Sequence, residues 1–182
     1  MFSHAVTPQI KLSLLEERHA EALFHVTDQN RAYLRVWLPW LDSTRTAEDT
    51  RAFIRGTRDD FATRGWAVCG IWFEGEICGV IGYNQIDWTN KVAYIGYWLA
   101  ENFQGKGIIT ACCRSLIDHS FRDLDLNKVV ITCGTGNSRS QAVPDRLGFV
   151  REGVLRDAEW LYDHFIDHTV NAVLKREWGK AE

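Results

Sequence analysis

A chain of 182 residues with 46% hydrophobic and 25% charged side chains is long enough to bury a full core and too short to expect two domains. A formal charge of −3 with no basic run argues against a bare nucleic-acid binder, whose affinity comes from clustered Lys and Arg. No stretch approaches the length of a membrane span, and Met1-Phe2-Ser3-His4-Ala5-Val6-Thr7-Pro8 lacks the basic and apolar regions of a leader, so a single domain over residues 1–182 in the cytoplasm is expected.

Residues 10–15 have strand character, and residues 16–28 follow with helical spacing at Ala20, Leu23, Phe24 and Val26. Residues 31–41 are aromatic and end near Pro39, which predicts a short helix and a loop. Thr46-Ala47-Glu48-Asp49 opens a capped helix running to about Arg64, with Phe53, Ile54 and Phe61 inward. Residues 66–73, 77–88 and 92–99 are strand-like and joined by the tight connections Glu74-Gly75-Glu76 and Thr89-Asn90, the pattern of an antiparallel meander. A helix from Gly105 to about Phe121 buries Ile109, Cys113, Leu116 and Ile117. Residues 129–133 then form a strand parallel to the one before that helix, closing a β-α-β unit. Residues 137–147 form a further helix, and residues 149–155 with 165–174 a closing hairpin. The expected class is α/β (α+β), with one mixed, mostly antiparallel central sheet and helices on both faces.

The five cysteines, Cys69, Cys78, Cys112, Cys113 and Cys133, are odd in number and lack metal-type spacing, so reduced thiols packed as small apolar groups are expected. His164 and His168 would suit zinc on a helix, but on a strand four residues span roughly 13 Å, too far for one ion. His19 and His25 lie on different faces of the first helix and His119 is isolated, so no metal site is expected.

The most informative stretch is Ala93-Tyr94-Ile95-Gly96-Tyr97-Trp98-Leu99-Ala100-Glu101-Asn102-Phe103-Gln104-Gly105-Lys106-Gly107-Ile108-Ile109-Thr110, where a strand meets a glycine-rich turn that opens into an amphipathic helix. Glycines let the backbone turn tightly, and the N–H groups and positive dipole end of the helix suit an anion such as a phosphorylated cofactor. A Walker loop is excluded because position 100 is Ala and Gly107 follows Lys106. The dinucleotide fingerprint is excluded because Thr110 stands where its third glycine belongs.

Gln104-Gly105-Lys106-Gly107-Ile108-Ile109 instead resembles the Gln/Arg-x-x-Gly-x-Gly/Ala signature of the GCN5-related N-acetyltransferases (GNAT), with Ile109 in place of the last small residue. Asn137-Ser138-Arg139-Ser140, then Leu147-Gly148-Phe149 and Glu152-Gly153, resemble that family's second signature. Ile95-Gly96-Tyr97-Trp98-Leu99, Trp37-Leu38-Pro39-Trp40 and Ala158-Glu159 are similar to its RimJ/RimL branch, the ribosomal-protein N-terminal acetyltransferases, in which Ile109-Thr110 is an ordinary variant.

The resemblance implies a GNAT-type domain using acetyl-CoA as cosubstrate. It implies that Gln104, Gly105, Lys106, Gly107, Ile108, Ile109 and Thr110 hold the pyrophosphate, Lys106 adding charge at the rim. The main chains of Trp98 and Leu99 would face the pantetheine and thioester, and Asn137 would order its turn and touch the cofactor. Glu159 would deprotonate the acceptor amine, directly or through water, and Ser140 would donate to the departing thiolate, with Tyr162 and Tyr97 as lesser alternatives. Read without the family, Glu159 is a surface residue on a hairpin and Ser140 a first-turn capping serine. Trp37, Trp40, Trp66 and Trp88 could wall the acceptor cleft or pack in the core.

The reaction expected is direct transfer of acetyl to the α-amine of a protein N-terminus, ribosomal in type. The alternatives are acetylation of a small amine such as a polyamine or aminoglycoside, and a catalytically silent CoA-binding module. A homodimer is expected from the resemblance, without direct nucleic-acid or membrane contact.

Overall fold

The computed structural model describes residues 3–179. These form β1 (Ser3–Ala5), β2 (Ile10–Leu14), α1 (Ala20–Gln29), α2 (Arg31–Leu34), α3 (Ala47–Arg64), β3 (Val68–Phe73), β4 (Glu76–Asp87), β5 (Val92–Leu99), α4 (Ile108–Arg122), β6 (Lys128–Gly134), α5 (Ser138–Arg146), β7 (Val150–Leu161) and β8 (His164–Leu174). The strands follow one another in the order β1-β2-β3-β4-β5-β6-β8-β7. The β5–β6 ladder, Val92↔Lys128 to Tyr94↔Val130, is parallel, as the helical connection α4 between them requires. The β1–β2, β2–β3, β3–β4, β6–β8 and β7–β8 ladders are antiparallel. Among the described residues no helix is long and apolar enough to cross a membrane.

The chain forms two compact units: residues up to Gly82 with Tyr97–Cys112, and Tyr83–Gly96 with the residues from Cys113 on. In the first unit, α3 starts where the capping signal places it. The Thr46 hydroxyl accepts from Asp49 N–H, and the Asp49 carboxylate accepts from Thr46 N–H at 2.8 Å. Gly65, at φ 74°, ends the helix. Its buried line is Thr50 and Ile54, and Ile54 packs with Leu15, Ala20, Leu23 and Val80. Phe53 and Phe61, expected inward, are 46% and 37% exposed. A helix turns about 100° per residue, so Phe53, one position before Ile54, is carried off the narrow buried line. The edge strand β1 escapes the sequence reading because three residues cannot display a period.

On α4 the inward set includes Ile108, Cys112, Cys113, Leu116, Ile117 and Phe121, whereas Ile109, expected to be buried, is half-buried. The closing hairpin is longer than expected. Strand β7 continues through Arg156-Asp157-Ala158-Glu159, a polar run without apolar alternation, by way of bulges after Arg151 and Leu155.

The second unit contains a fully satisfied buried hydroxyl. Tyr83 Oη is within hydrogen-bonding distance of Leu116 O, at 3.1 Å, and Ser120 Oγ, at 2.9 Å, while Ser120 Oγ donates to Leu116 O at 2.8 Å. Tyr83 is 2% exposed. Tyr83→Phe is therefore expected to destabilise the protein by about 1–2 kcal/mol, read as a lower urea midpoint at unchanged slope. An unchanged midpoint would show that the hydroxyl contributes nothing there.

Candidate active site

The glycine turn lies in the first unit and is shaped by backbone rather than by side-chain volume. After β5, Ala100 N–H donates to Cys78 O at 2.8 Å, and Glu101–Phe103 make a single 3₁₀ turn. Gly105 and Gly107 then adopt φ 73° and 72°, in the left-handed region that side chains with a Cβ avoid. A Cβ at either glycine would meet nothing within 4 Å, so the space above the turn is open. The first helical bond, Ala111 N–H to Gly107 O at 3.0 Å, starts α4 directly after the turn, and its first-turn amides have no intrahelical acceptor. Gly105, Lys106 and Gly107 are exposed, and Lys106 Nζ lies 5.0 and 5.2 Å from the ring centres of Phe73 and Phe103. An exposed cradle of amides at a helix N-terminus with a cation beside it fits a phosphate-bearing ligand.

Upstream, Trp98 and Leu99 are fixed by contact of their backbone with β4. A Cβ on Gly79 would overlap the Trp98 carbonyl oxygen and lie 3.0 Å from the Leu99 Cα. The Trp98 side chain packs beside the Leu15–Ile54 cluster, and its ring centre is 6.1 Å from that of Trp40. Trp40 and Trp98 thus come together, Trp37 is half-buried, and Trp66 is stacked under the Arg64 guanidinium at 4.8 Å. Trp88, in the other unit, is 48% exposed.

The remaining candidates lie in the second unit. Asn137 caps α5, its Oδ1 accepting from Ser140 N–H at 3.1 Å. The Ser140 side chain hydrogen-bonds the Cys133 thiol, which lies 3.2 Å from Thr169 Oγ1. Burial raises the Cys133 pKa above the usual thiol value, and the bonds from Thr169 and Ser140 oppose the rise. Ser140 therefore sits in the first turn of α5 with both its amide and its hydroxyl engaged. Tyr162 occupies the β7–β8 turn at φ 63°, and Tyr97 is half-buried on β5.

Glu159 stands opposite Ile166 on β8, and its Oε2 is 3.3 Å from His168 Nε2. The His168 and Glu159 side chains are 19% and 30% exposed. His168 pairs in register with Gly134 at the end of β6, so the carboxylate–imidazole pair stands beside the strand that leads into Asn137. Sequence reasoning considered His168 only as a metal ligand. Its link to Glu159 depends on the β7 bulge, for which the letters carry no signal.

Burial pushes Cys69 up to about 11 and Cys78 and Cys112 up to about 12, so these thiols stay protonated and are poor nucleophiles. Among the described residues, no three His, Cys, Asp or Glu side chains converge as a metal-binding set.

Comparison with known proteins bears on the family and the fold. Residues 9–150 match the family model described as the acetyltransferase (GNAT) domain. The chain is 39% identical over 179 residues to a putative ribosomal N-acetyltransferase, YdaF, of Bacillus subtilis, covering 98% of each. It is 37% identical over 163 residues to the ribosomal-protein-serine acetyltransferase of Escherichia coli, covering 89% of this chain and 90% of that protein. The solved structure of RimL, the ribosomal L7/L12 alpha-N-protein acetyltransferase, in complex with coenzyme A superposes with a TM-score of 0.89 at 34% identity, over 93% of this chain and 96% of that one.

The close approach at Gly79 yields a test. Gly79→Ala must displace the Trp98–Leu99 backbone or β4 itself, and is expected to destabilise the protein by about 1–3 kcal/mol in urea denaturation. Wild-type stability would mean that the two strands separate without cost.

Proposed function

We propose that this chain, which belongs to the GNAT acetyltransferase family, transfers acetyl from acetyl-CoA to the α-amine of a protein N-terminus, ribosomal in type. The observation that carries the cofactor half is the open glycine turn at the start of α4. The acceptor half rests on the ribosomal-protein acetyltransferases that the chain resembles over nearly its whole length. A cytoplasmic location goes with such an acceptor.

In this reading the turn from Gln104 to Thr110 holds the pyrophosphate through main-chain amides. The main chains of Trp98 and Leu99, on the part of β5 beyond its ladder with β6, hold the pantetheine and the thioester carbonyl. The neutral amine attacks that carbonyl, its proton passes to Glu159 directly or through water, and the C–S bond breaks. The Ser140 hydroxyl donates to the departing sulfur, while Asn137 keeps Ser140 in place through the cap. His168 orients the Glu159 carboxylate. No acetyl-enzyme is required.

Isotopically labelled acetyl-CoA offered with unacetylated ribosomal proteins, polyamines and aminoglycosides, followed by mass spectrometry, is expected to label a protein N-terminus. Label on small amines alone would overturn the acceptor assignment, and bound CoA without any label would point to a silent binding module. Glu159→Gln is expected to lower kcat by about 100-fold or more with CoA affinity retained, and Ser140→Ala to lower it in the same direction. Unchanged turnover in both would overturn these roles.

The reading includes a homodimer. Among the described residues, ten large hydrophobic side chains are exposed, and five of them, Val150, Val154, Leu155, Trp160 and Phe165, lie on the β7–β8 hairpin. Trp160 and Phe165 pack edge to face at 4.8 Å with more than half of each surface exposed. Edge strand β7 is exposed along nearly its whole length, a feature that soluble chains cover. Light scattering is expected to give twice the chain mass, and Leu155→Arg with Trp160→Glu to give the monomer. A monomeric wild type would remove the dimer from the reading.

A further inference from the structure

We infer that Tyr33 and Asn30, on the short helix α2 and its cap, are positioning residues that hold the glycine turn in its binding conformation before the cofactor arrives. The inference rests on the reading of that turn as the acetyl-CoA pyrophosphate site. Two bonds, both within the first unit, connect the elements: Glu101 N–H donates to Asn30 Oδ1 at 2.9 Å, and Gln104 Nε2 donates to Tyr33 Oη. The partners match in spacing. Asn30 and Tyr33 are three residues apart on the helix, and Glu101 and Gln104 bracket the 3₁₀ turn that leads into Gly105.

The anchor is itself fixed. Asn30 Nδ2 donates to Val26 O at 2.8 Å, which orients the amide so that its oxygen faces Glu101. Arg31 donates to Thr44 O at 2.7 Å and pairs with Asp28 at 3.1 Å, tying α2 to the segment that follows it. The turn itself has no comparable stiffness, because two glycines within three residues leave it a wide choice of backbone conformations. Bonds at Glu101 and Gln104 remove much of that freedom in advance. The loss of entropy on binding falls accordingly, which is how preorganisation raises affinity.

The test is CoA affinity by isothermal titration calorimetry, with steady-state kinetics alongside. Tyr33→Phe deletes only the hydroxyl. It is expected to weaken CoA binding about three- to tenfold, the effect of one hydrogen bond, and to leave kcat at saturating acetyl-CoA within about twofold. Gln104→Met is expected to weaken binding by at least as much, and adding Tyr33→Phe to it to have no further effect. Equal CoA affinity for Tyr33→Phe and wild type, or additive losses in the double variant, would overturn the positioning role while leaving the cofactor assignment intact. Failure of the wild-type chain to bind CoA would overturn both.

Discussion

The backbone conformation of Gly105 and Gly107 is the constraint on which the functional reading depends. At φ 73° and 72°, any residue with a Cβ would carry a penalty of roughly 1–2 kcal/mol at each position. With glycine there the chain passes from the end of β5 into α4 through one 3₁₀ turn, and the N-terminus of α4 opens onto exposed backbone instead of a side chain. The helix dipole places about half a positive charge at that end. Lys106, held over the faces of Phe73 and Phe103, adds a full charge close by while the aromatic contacts restrict its swing. The freedom that glycine introduces is thus offset by supports on both sides of the turn, aromatic rings on one and α2 on the other.

An acetyl thioester is already activated, so the remaining demand is for a neutral amine. At pH 7.4 an α-amine with a pKa near 7.7–8.0 is neutral in about a fifth to a third of molecules, against about one in a thousand for a lysine near 10.4. A carboxylate without special activation can meet the first demand and would struggle with the second. In the proposed reading Glu159, part-exposed and 3.3 Å from His168 Nε2, takes that role. A thiol relay would need a nucleophilic cysteine. Burial raises the Cys69, Cys78, Cys112 and Cys133 thiols above their ordinary range, the first three to about 11–12, which accords with the direct transfer proposed above.

The parts of this design that were legible in the sequence are those encoded over a few residues. The Thr46 cap, the helix opening at Asn137, the glycine turn and the parallel strand after α4 each carry a local signal, and each is found where the letters put it, although the cap of that helix is Asn137 and not Ser140, the capping serine of the sequence reading. The tie between the turn and its support is not local. Asn30 and Tyr33 are each 71 residues from their partners, and nothing in either segment announces the other. Phe53 and Phe61 mislead for a related reason: helical spacing gives a face to each residue, but how wide a face α3 buries, and how far along the helix it runs, depends on what packs against it.

The pairing of Glu159 with His168 is the least legible feature and the most dependent on irregular structure. Leu155 stands opposite His168 and Glu159 opposite Ile166, so β7 carries four steps where β8 carries two. Two extra residues keep the alternation of faces and draw Glu159 back along β8 by about 6–7 Å relative to an unbroken ladder. A glutamate opposite Ile166 can then reach across the diagonal to the imidazole two residues away. The bulge contains Asp157 at φ 47°, a strained value for a residue with a side chain, and Asp157 N–H is held by the Asp167 carboxylate at 2.9 Å. Regular pairing would avoid that strain and would place the carboxylate opposite His164, near the tip of the hairpin. The irregularity therefore separates an exposed hairpin glutamate from one aligned beside the end of β6, a distinction that composition and periodicity cannot express.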